Sequence, residues 1–342
     1  MVGYHADEGE ESMRILITGA SGFLGRALVD RLKNDTLVER LCVLSRDEHK
    51  IAKMADGYDG KASLRTFVGD VRDPSRLIYA CKGVDVVIHA AALKRIDAVV
   101  NESLELDKTN VQGTVNVLRA GLESGVRKVL FISSDKAAEP CNAYGASKMM
   151  AECHAIGFNQ YSIPQGMAVS AVRYGNVFAS TGSIYHIWKK AIEENRALSI
   201  TDINMTRFHI SIQQAVDLCL TSLQRMTGGE IFIPDLPAYR LRDLAQAMLG
   251  EEVKLNHNLF LSGLRPGGEK LAEIMLSQEE PGRTLWQQDR YVVMPAHRSW
   301  SASPYQGVKL SGDPHLISSW PSRWLSVDQL KRIVEEQCIH SS

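Results

Sequence analysis

From Arg14 onward, short runs of uninterrupted apolar residues alternate with stretches of helical periodicity. RILIT is followed by a helix over 23–34, LCVLS by one over 47–54, LRTFV by one over 74–81, DVVIHA by one through 104–123 and KVLFISS by one over 143–160. Apolar runs without polar alternation mark strands covered on both faces, so this βα rhythm predicts a parallel sheet wrapped by helices. Right-handed crossovers make it a doubly wound, Rossmann-type α/β sheet. After Tyr174 the rhythm breaks into helices near 184–195, 212–226 and 240–249 and a short strand at EIFIP, which predicts a smaller mixed α/β lobe. The stretch 281–325 is rich in Pro, Ser, Gly and Trp and predicts irregular chain on the surface or at an interface. Ser326-Val-Asp-Gln329 has the form of a capping box opening a last amphipathic helix, LKRIVEEQ. The expected organisation is a solvated tail over 1–12, a Rossmann domain over 13–175 that later segments can rejoin, and a second lobe with a C-terminal helix over 176–342.

A chain of 342 residues, 44% hydrophobic and 23% charged, can bury one large core or a core and a lobe. Its 39 lysines and arginines against 40 aspartates and glutamates leave a net charge of −1, with no basic excess for nucleic acid or an acidic bilayer. The longest apolar runs fall well short of the roughly 20 residues a spanning helix needs, so a soluble chain without membrane partners is expected. Asp7, Glu8, Glu10 and Glu11 with no Lys or Arg among the first twelve residues are the reverse of a signal-peptide start. Cys42, Cys81, Cys141, Cys153, Cys219 and Cys338 form no C-x-x-C pair, which fits free thiols in a reducing, cytoplasmic setting. The ten histidines show no ligand spacing, so no metal is expected.

Gly19-Ala-Ser21-Gly22-Phe23-Leu24-Gly25 follows RILIT directly and opens a helix. Gly19 allows the tight turn, Gly22 a close approach to a pyrophosphate, and Gly25 close helix-to-strand packing; the open N–H groups and the helix dipole make an anion site. That context predicts a dinucleotide. The second strand ends in Ser45-Arg46-Asp47, where a carboxylate would bond the ribose of NAD but a guanidinium suits the 2′-phosphate of NADP, with Ser45 as a further donor. NADP is the expectation, and Asp47 keeps NAD open. Asp70 and Val71, after the third strand, are placed to meet an adenine or to cap the strand end. Ala90, Ala91 and Ala92 offer small side chains beside a nicotinamide ribose, or ordinary close packing.

Ser133-Ser134-Asp135-Lys136 follows the fifth strand, and Tyr144-Gly-Ala-Ser-Lys148 opens the next helix. Tyr144 and Lys148, four apart, share a helical face, so the ammonium can lower the phenol pKa and hold the cofactor ribose while the phenolate takes a proton from an alcohol. With the glycine turn upstream, the first half of the chain resembles the short-chain dehydrogenase/reductase superfamily. Asp135 and Lys136 exceed what a simple reductase needs. They permit a second proton-transfer step, or form a surface salt bridge.

HAAALKRI, SSDKAAEPCNAYGASKMMAE, RYGNVFASTGS, ITDINMTRFHISIQQAVDL, GGEIFIPDLP and GLRPGGEKLAE, in this order, resemble the polysaccharide-biosynthesis branch of the extended short-chain dehydrogenases. They are most similar to the soluble, 5-inverting UDP-N-acetylglucosamine 4,6-dehydratases. The resemblance implies a UDP-sugar substrate, bound NADP and a homo-oligomer. It implies that Tyr144 takes the 4-hydroxyl proton as C4 is oxidised, Lys136 removes the C5 proton, Asp135 protonates the departing 6-hydroxyl, and Ser134 bonds the 4-oxygen. Which of Lys136 and Asp135 is the base rests on analogy. It also implies that Lys94, Asn176 and Ser180 hold the sugar and diphosphate and that Arg207, Arg265 and Glu269 clamp the nucleotide.

Three departures bear on specificity. Arg265-Pro-Gly-Gly268-Glu269-Lys270 is one glycine longer than the usual R-P-G-E-K, His209 replaces a bulky aromatic, and RIDAVVNESLEL after Lys94 lacks the customary proline and glutamate. A nucleotide-sugar 4-epimerase or 4-oxidoreductase would need Tyr144 and Lys148 but not the Asp135–Lys136 pair. A non-catalytic NADP-binding regulator would need neither.

Overall fold

The computed structural model describes residues 12–94, 102–250, 252–263, 268–296, 305, 307–310 and 316–340. The βα rhythm is realised as strands β1 (Met13–Thr18), β2 (Val38–Ser45), β3 (Ser63–Val68), β4 (Val86–His89), β5 (Lys128–Ile132) and β6 (Ala168–Val172). Between them run helices α1 (Phe23–Leu32), α2 (Glu48–Asp56), α3 (Pro74–Cys81), α4 (Ser103–Leu106), α5 (Gly113–Glu123), α6 (Ala143–Gly157) and α7 (Asn159–Ser162), with a π-helical turn Asp107–Gln112 joining α4 to α5. The remainder supplies α8 (Ile184–Glu193), β7 (Leu198–Ile200), β8 (Thr206–Phe208), α9 (Ile212–Arg225), β9 (Ile231–Pro234), β10 (Ala238–Arg240), α10 (Leu241–Leu249), β11 (Leu259–Leu261), β12 (Thr284–Gln287), β13 (Arg290–Val293), β14 (Val308–Lys309) and α11 (Val327–His340).

One ten-stranded sheet runs β14-β12-β13-β9-β6-β5-β4-β1-β2-β3. From β3 to β9 neighbours are parallel, and β13, β12 and β14 continue antiparallel. Leu16, Ile17, Leu41, Val43, Val87, Ile88, Leu130 and Val169 are at most 1% exposed, as expected of strands covered on both faces. Each such side chain contributes about 1.5–3 kcal/mol by leaving water. The strand order reverses between β1 and β4, so a crevice opens beyond their carboxyl ends, where doubly wound folds bind ligands. A second core around Trp188, Tyr185, Met205, Tyr239, Leu244 and Leu330 organises the smaller lobe.

The segment from 281 onward differs from the expected irregular chain. β12 and β13 form a hairpin closed at Gln287 and Arg290, with Gln288 at φ 54 and Trp286 packed on Tyr291 at 4.7 Å. Two four-residue strands are too short to show a period, and the Pro and Gly that dominate the composition lie outside them. The closing helix begins as the sequence suggests: Gln329 N donates to Ser326 Oγ and Ser326 N to Gln329 Oε1.

Candidate active site

A cleft of about 350 Å³ lies along the carboxyl ends of β1, β4, β5 and β6. Its wall at β1 is the glycine turn: Gly19 has φ +70, and a Cβ there would stand 2.7 Å from the Ala91 amide, so two backbones touch where no side chain fits. Gly22 caps α1 without a side-chain bond, leaving the first amides of that helix open, and Ser21, Gly22, Phe23, Leu24 and Gly25 line the cleft. At this end Ser21 Oγ and Ser45 Oγ are 2.6 Å apart and Arg46 is half exposed. Asp47 is engaged elsewhere, capping α2 by accepting from Lys50 N at 3.0 Å and pairing with Lys50 Nζ at 2.8 Å. Asp70 likewise accepts from Arg72 Nε at 2.9 Å and Nη2 at 2.7 Å, which outweighs burial and holds its carboxyl below the usual range. Val71 lines the cleft, while Asp70 stands 3.8 Å from Arg46. An open helix start and a side-chain-free turn fit a dinucleotide.

Ala90, Ala91, Ala92 and Lys94 form the floor. Asn110, in the π-helical turn, fixes it by accepting from Leu93 N at 2.8 Å and donating to Leu93 O at 3.0 Å and to Ser147 Oγ at 2.9 Å. Beneath, His89 links Thr18 at 2.7 Å to Thr114 at 3.0 Å; burial pushes its pKa down to about 3, so it is a neutral strut.

At the far end Ser134, Tyr144, Lys148, Asn176 and Ser180 line the same cleft. Asn142 caps α6 by accepting from Gly145 N at 2.8 Å, which fixes Tyr144 in its first turn. Burial pushes the Tyr144 phenol up to about 12, and the cation that pulls it back is Lys136. Lys148 donates to Ile132 O at 2.6 Å and lies 4.2 Å from the Phe131 ring; burial lowers it to about 8. Asp135, fully buried on the turn after β5, accepts from Ser134 Oγ at 2.8 Å and from Lys136 Nζ at 3.0 Å. Burial raises its carboxyl pKa. Lys136 Nζ also donates to Asn176 Oδ1 at 2.8 Å and pairs with Glu273 at 2.9 Å. The pair is therefore no surface salt bridge. It is a fully buried carboxyl and a 17% exposed amine next to the phenol, groups of the kind that move protons.

Arg207 and Glu269 bind each other at 2.8 Å rather than lining the cleft. The Arg207 guanidinium also donates to Thr206 O at 2.7 Å and to the carbonyls of Lys270 and Leu271, each at 3.2 Å, so it anchors the segment that carries Glu269 and Glu273. Arg265 lies outside the described residues. The additional glycine, Gly268, has φ +87, accepts from Asn142 Nδ2 at 3.0 Å, and would place a Cβ 3.0 Å from Cys141 O. Gly268 thus seats against the turn before Tyr144.

Sequence reasoning missed Glu273, Asn110 and a buried ionic knot. Arg173, after β6, bonds Glu152 of α6 at 3.1 Å, Glu280 at 2.7 and 2.9 Å and Met275 O at 2.8 Å, while Ser133 Oγ donates to Glu152 at 2.5 Å. The knot ties the ends of β5 and β6 and the Tyr144 helix to the segment after Glu273. Its partners are far apart in the chain, and no local spacing announces them. Among the described residues no helix is long and apolar enough to cross a membrane, and no group of three or more His, Cys, Asp or Glu could hold a metal.

A family model described as polysaccharide biosynthesis protein matches residues 15–295. The UDP-N-acetylglucosamine 4,6-dehydratase (inverting) of Campylobacter jejuni subsp. jejuni serotype O:23/36 is 38% identical over 329 residues, covering 94% of this chain and 96% of that protein. A UDP-glucose 4-epimerase of Rickettsia bellii is 38% identical over 269 residues, 78% of each chain. The X-ray structure of Pen from Bacillus thuringiensis matches with a TM-score of 0.85 at 27% identity, covering 96% of this chain and 98% of that one.

Proposed function

This chain belongs to the polysaccharide biosynthesis protein family, and from that premise we propose that it is an NADP-dependent hydro-lyase that dehydrates a UDP-N-acetylhexosamine, UDP-N-acetylglucosamine first, across C5 and C6 with inversion at C5. One observation carries the reading: the Asp135–Lys136 pair, Asp135 fully buried and Lys136 17% exposed, beside the cleft-lining Tyr144 and Asn176. The name of the Campylobacter relative supports the substrate and the inversion. A 4-epimerase, the name of the Rickettsia relative, moves a proton only at O4 and would leave that pair without a task.

The glycine turn and the open start of α1 would hold the cofactor pyrophosphate, Arg46, Ser45 and Ser21 the 2′-phosphate, and Lys148 the nicotinamide ribose. When bound, NADP supplies what no side chain can, accepting hydride from C4 and returning it to C6. Tyr144, once ionised beside the Lys136 cation that favours its phenolate, takes the 4-hydroxyl proton, and Ser134 bonds the oxygen. The resulting ketone acidifies C5, where Lys136 removes the proton; Asp135, which burial favours in its protonated form, delivers one to the departing 6-hydroxyl. Inversion requires C5 to regain its proton on the face opposite Lys136, and the proton that Tyr144 took from O4 balances it. Lys94, Asn176 and Ser180 face the cleft where the sugar and diphosphate must lie. Free thiols at Cys42, Cys81, Cys141, Cys153 and Cys219 support a cytoplasmic enzyme, and exposed Leu104, Met149 and Met150 support a homo-oligomer.

The test is Lys136→Met. Dehydration should fall by about 10²-fold or more, while oxidation at C4 survives as a build-up of reduced-nicotinamide absorbance on the enzyme. Dehydration left intact would overturn the role of Lys136, and C4 interconversion left intact without dehydration would identify an epimerase and overturn the reading.

A further inference from the structure

As a base at C5, Lys136 must present a lone pair, yet in this structure all three of its hydrogens are engaged. The acceptors are Asp135 at 3.0 Å, Asn176 at 2.8 Å and Glu273 at 2.9 Å. Asn176 lines the cleft, whereas Asp135 and Glu273 do not. Resting on the dehydratase reading, we propose that Glu273 is the positioning residue that governs when Lys136 gives up its proton, holding the ammonium in place and opposing its conversion to the amine.

Glu273 is built for this part. Its side chain is 3% exposed, and its backbone is clamped on both sides: Glu273 N donates to Ser318 Oγ at 2.7 Å, and Ser318 N donates to Glu273 O at 2.8 Å. One carboxylate oxygen, Oε1, meets Lys136 and stands 3.5 Å from Arg207 Nε; the other, Oε2, is buried without a hydrogen-bond partner among the described residues. A carboxylate placed only to stabilise the fold would have both oxygens satisfied. The charged and titratable groups around Lys136 are Asp135, Glu273, Arg207, Lys270, Tyr144 and Tyr239. Burial works against charge on Lys136, and Asp135 and Glu273 together overcome it.

The proton balance of the elimination closes within the pair. A lysine–aspartate pair largely shielded from water can neutralise itself by one hop: an N–H bond of Lys136 breaks, an O–H bond forms on Asp135, and the electron pair stays on Nζ. The amine then takes the C5 proton, and the Asp135 acid gives its proton to the 6-hydroxyl as the C6–O bond breaks. The pair is thereby returned to ammonium and carboxylate. Glu273 biases the first hop backwards, so Lys136 stays charged until substrate fills the cleft.

Glu273→Gln keeps an oxygen for Lys136 to donate to and removes the charge. In the cofactor-loaded enzyme the acid limb of kcat for dehydration should move down by about 1 pH unit or more, with KM and the pH dependence of C4 oxidation little changed. Glu273→Asp, which restores the charge, should restore the position of the limb. A limb that does not move in a folded, cofactor-loaded Glu273→Gln enzyme would overturn the proposal, as would C4 oxidation failing together with dehydration. A substrate-free readout separates this from the dehydratase reading. The 13Cε resonance of Lys136, assigned by its loss in Lys136→Met, should stay in the ammonium form through the neutral range in the wild type and titrate lower in Glu273→Gln. A wild-type Lys136 that titrates near neutrality overturns the proposal. An ammonium that behaves as expected in an enzyme inert toward UDP-N-acetylglucosamine supports it and removes only the substrate reading.

Discussion

Replacing Arg173 by methionine is the sharpest perturbation of the frame that holds the site. The guanidinium is 3% exposed and is shared by Glu152 and Glu280, whose side chains are 7% and 5% exposed, so screening by water is slight. Removing one partner of a buried pair costs about 3–5 kcal/mol, because the other charge is left without compensation. The remaining bonds, Ser133 Oγ to Glu152 at 2.5 Å and Ser277 N to Glu280 at 2.8 Å, offset part of that loss, and the more exposed Arg283, 3.4 Å from Glu280, supplies only a weak counter-charge. Out of a total of about 5–15 kcal/mol for a folded domain, the loss is large. Its pH dependence has a definite sign. In the wild type burial raises Glu280, but its bonds to Arg173 win and hold its pKa below the usual value. The stability this provides is present above the unfolded carboxyl pKa and is lost as pH falls through the lower folded one. In Arg173→Met the folded state prefers Glu280 protonated, so the variant loses stability as pH rises. Urea unfolding followed by circular dichroism should therefore show the gap between wild type and variant widest near about pH 8 and narrowing towards about pH 5. A gap below about 1 kcal/mol, the size expected of an exposed pair, would refute the reasoning, and so would a gap that widens in acid.

Arg46→Glu should weaken NADP by roughly 10–100-fold, the equivalent of losing one charge-assisted bond of about 1.5–3 kcal/mol, while NAD binding changes little; fluorescence titration with each reduced cofactor measures both. Equal weakening of the two would place Arg46 away from the 2′-phosphate. Tyr144→Phe should lower C4 oxidation by about 10²–10⁴-fold with cofactor binding retained, measured as single-turnover absorbance of reduced nicotinamide. A mild effect there would give the O4 proton to another group.

The sequence was most informative where structure and chemistry are local. The glycine turn, the Tyr144–Lys148 pair and the capping box at Ser326 each fall within about two helical turns, and each pattern has a short-range physical cause. The full burial of Asp135 and the shielding of Lys136 were not legible, because adjacent charged residues after a strand read equally well as a solvated pair. Arg207 shows the limit of reading charge alone. A guanidinium in a motif suggests a phosphate clamp, whereas the fold encloses it among three carbonyls and Glu269. Arg173, Glu152 and Glu280 are separated by 21 and 107 positions, and only the sheet brings them together. The β12–β13 hairpin was hidden for a different reason: its strands are shorter than the window over which alternation can be recognised.

The account rests on water leaving the sugar with no net change in the cofactor. Proton NMR of UDP-N-acetylglucosamine with the purified protein in deuterated water tests this directly. The account requires a new 6-methyl signal, deuterium at C5, ring couplings of the inverted sugar and no accumulation of reduced cofactor. An unchanged sugar spectrum from protein with NADP bound, or a product altered only at C4, would contradict it.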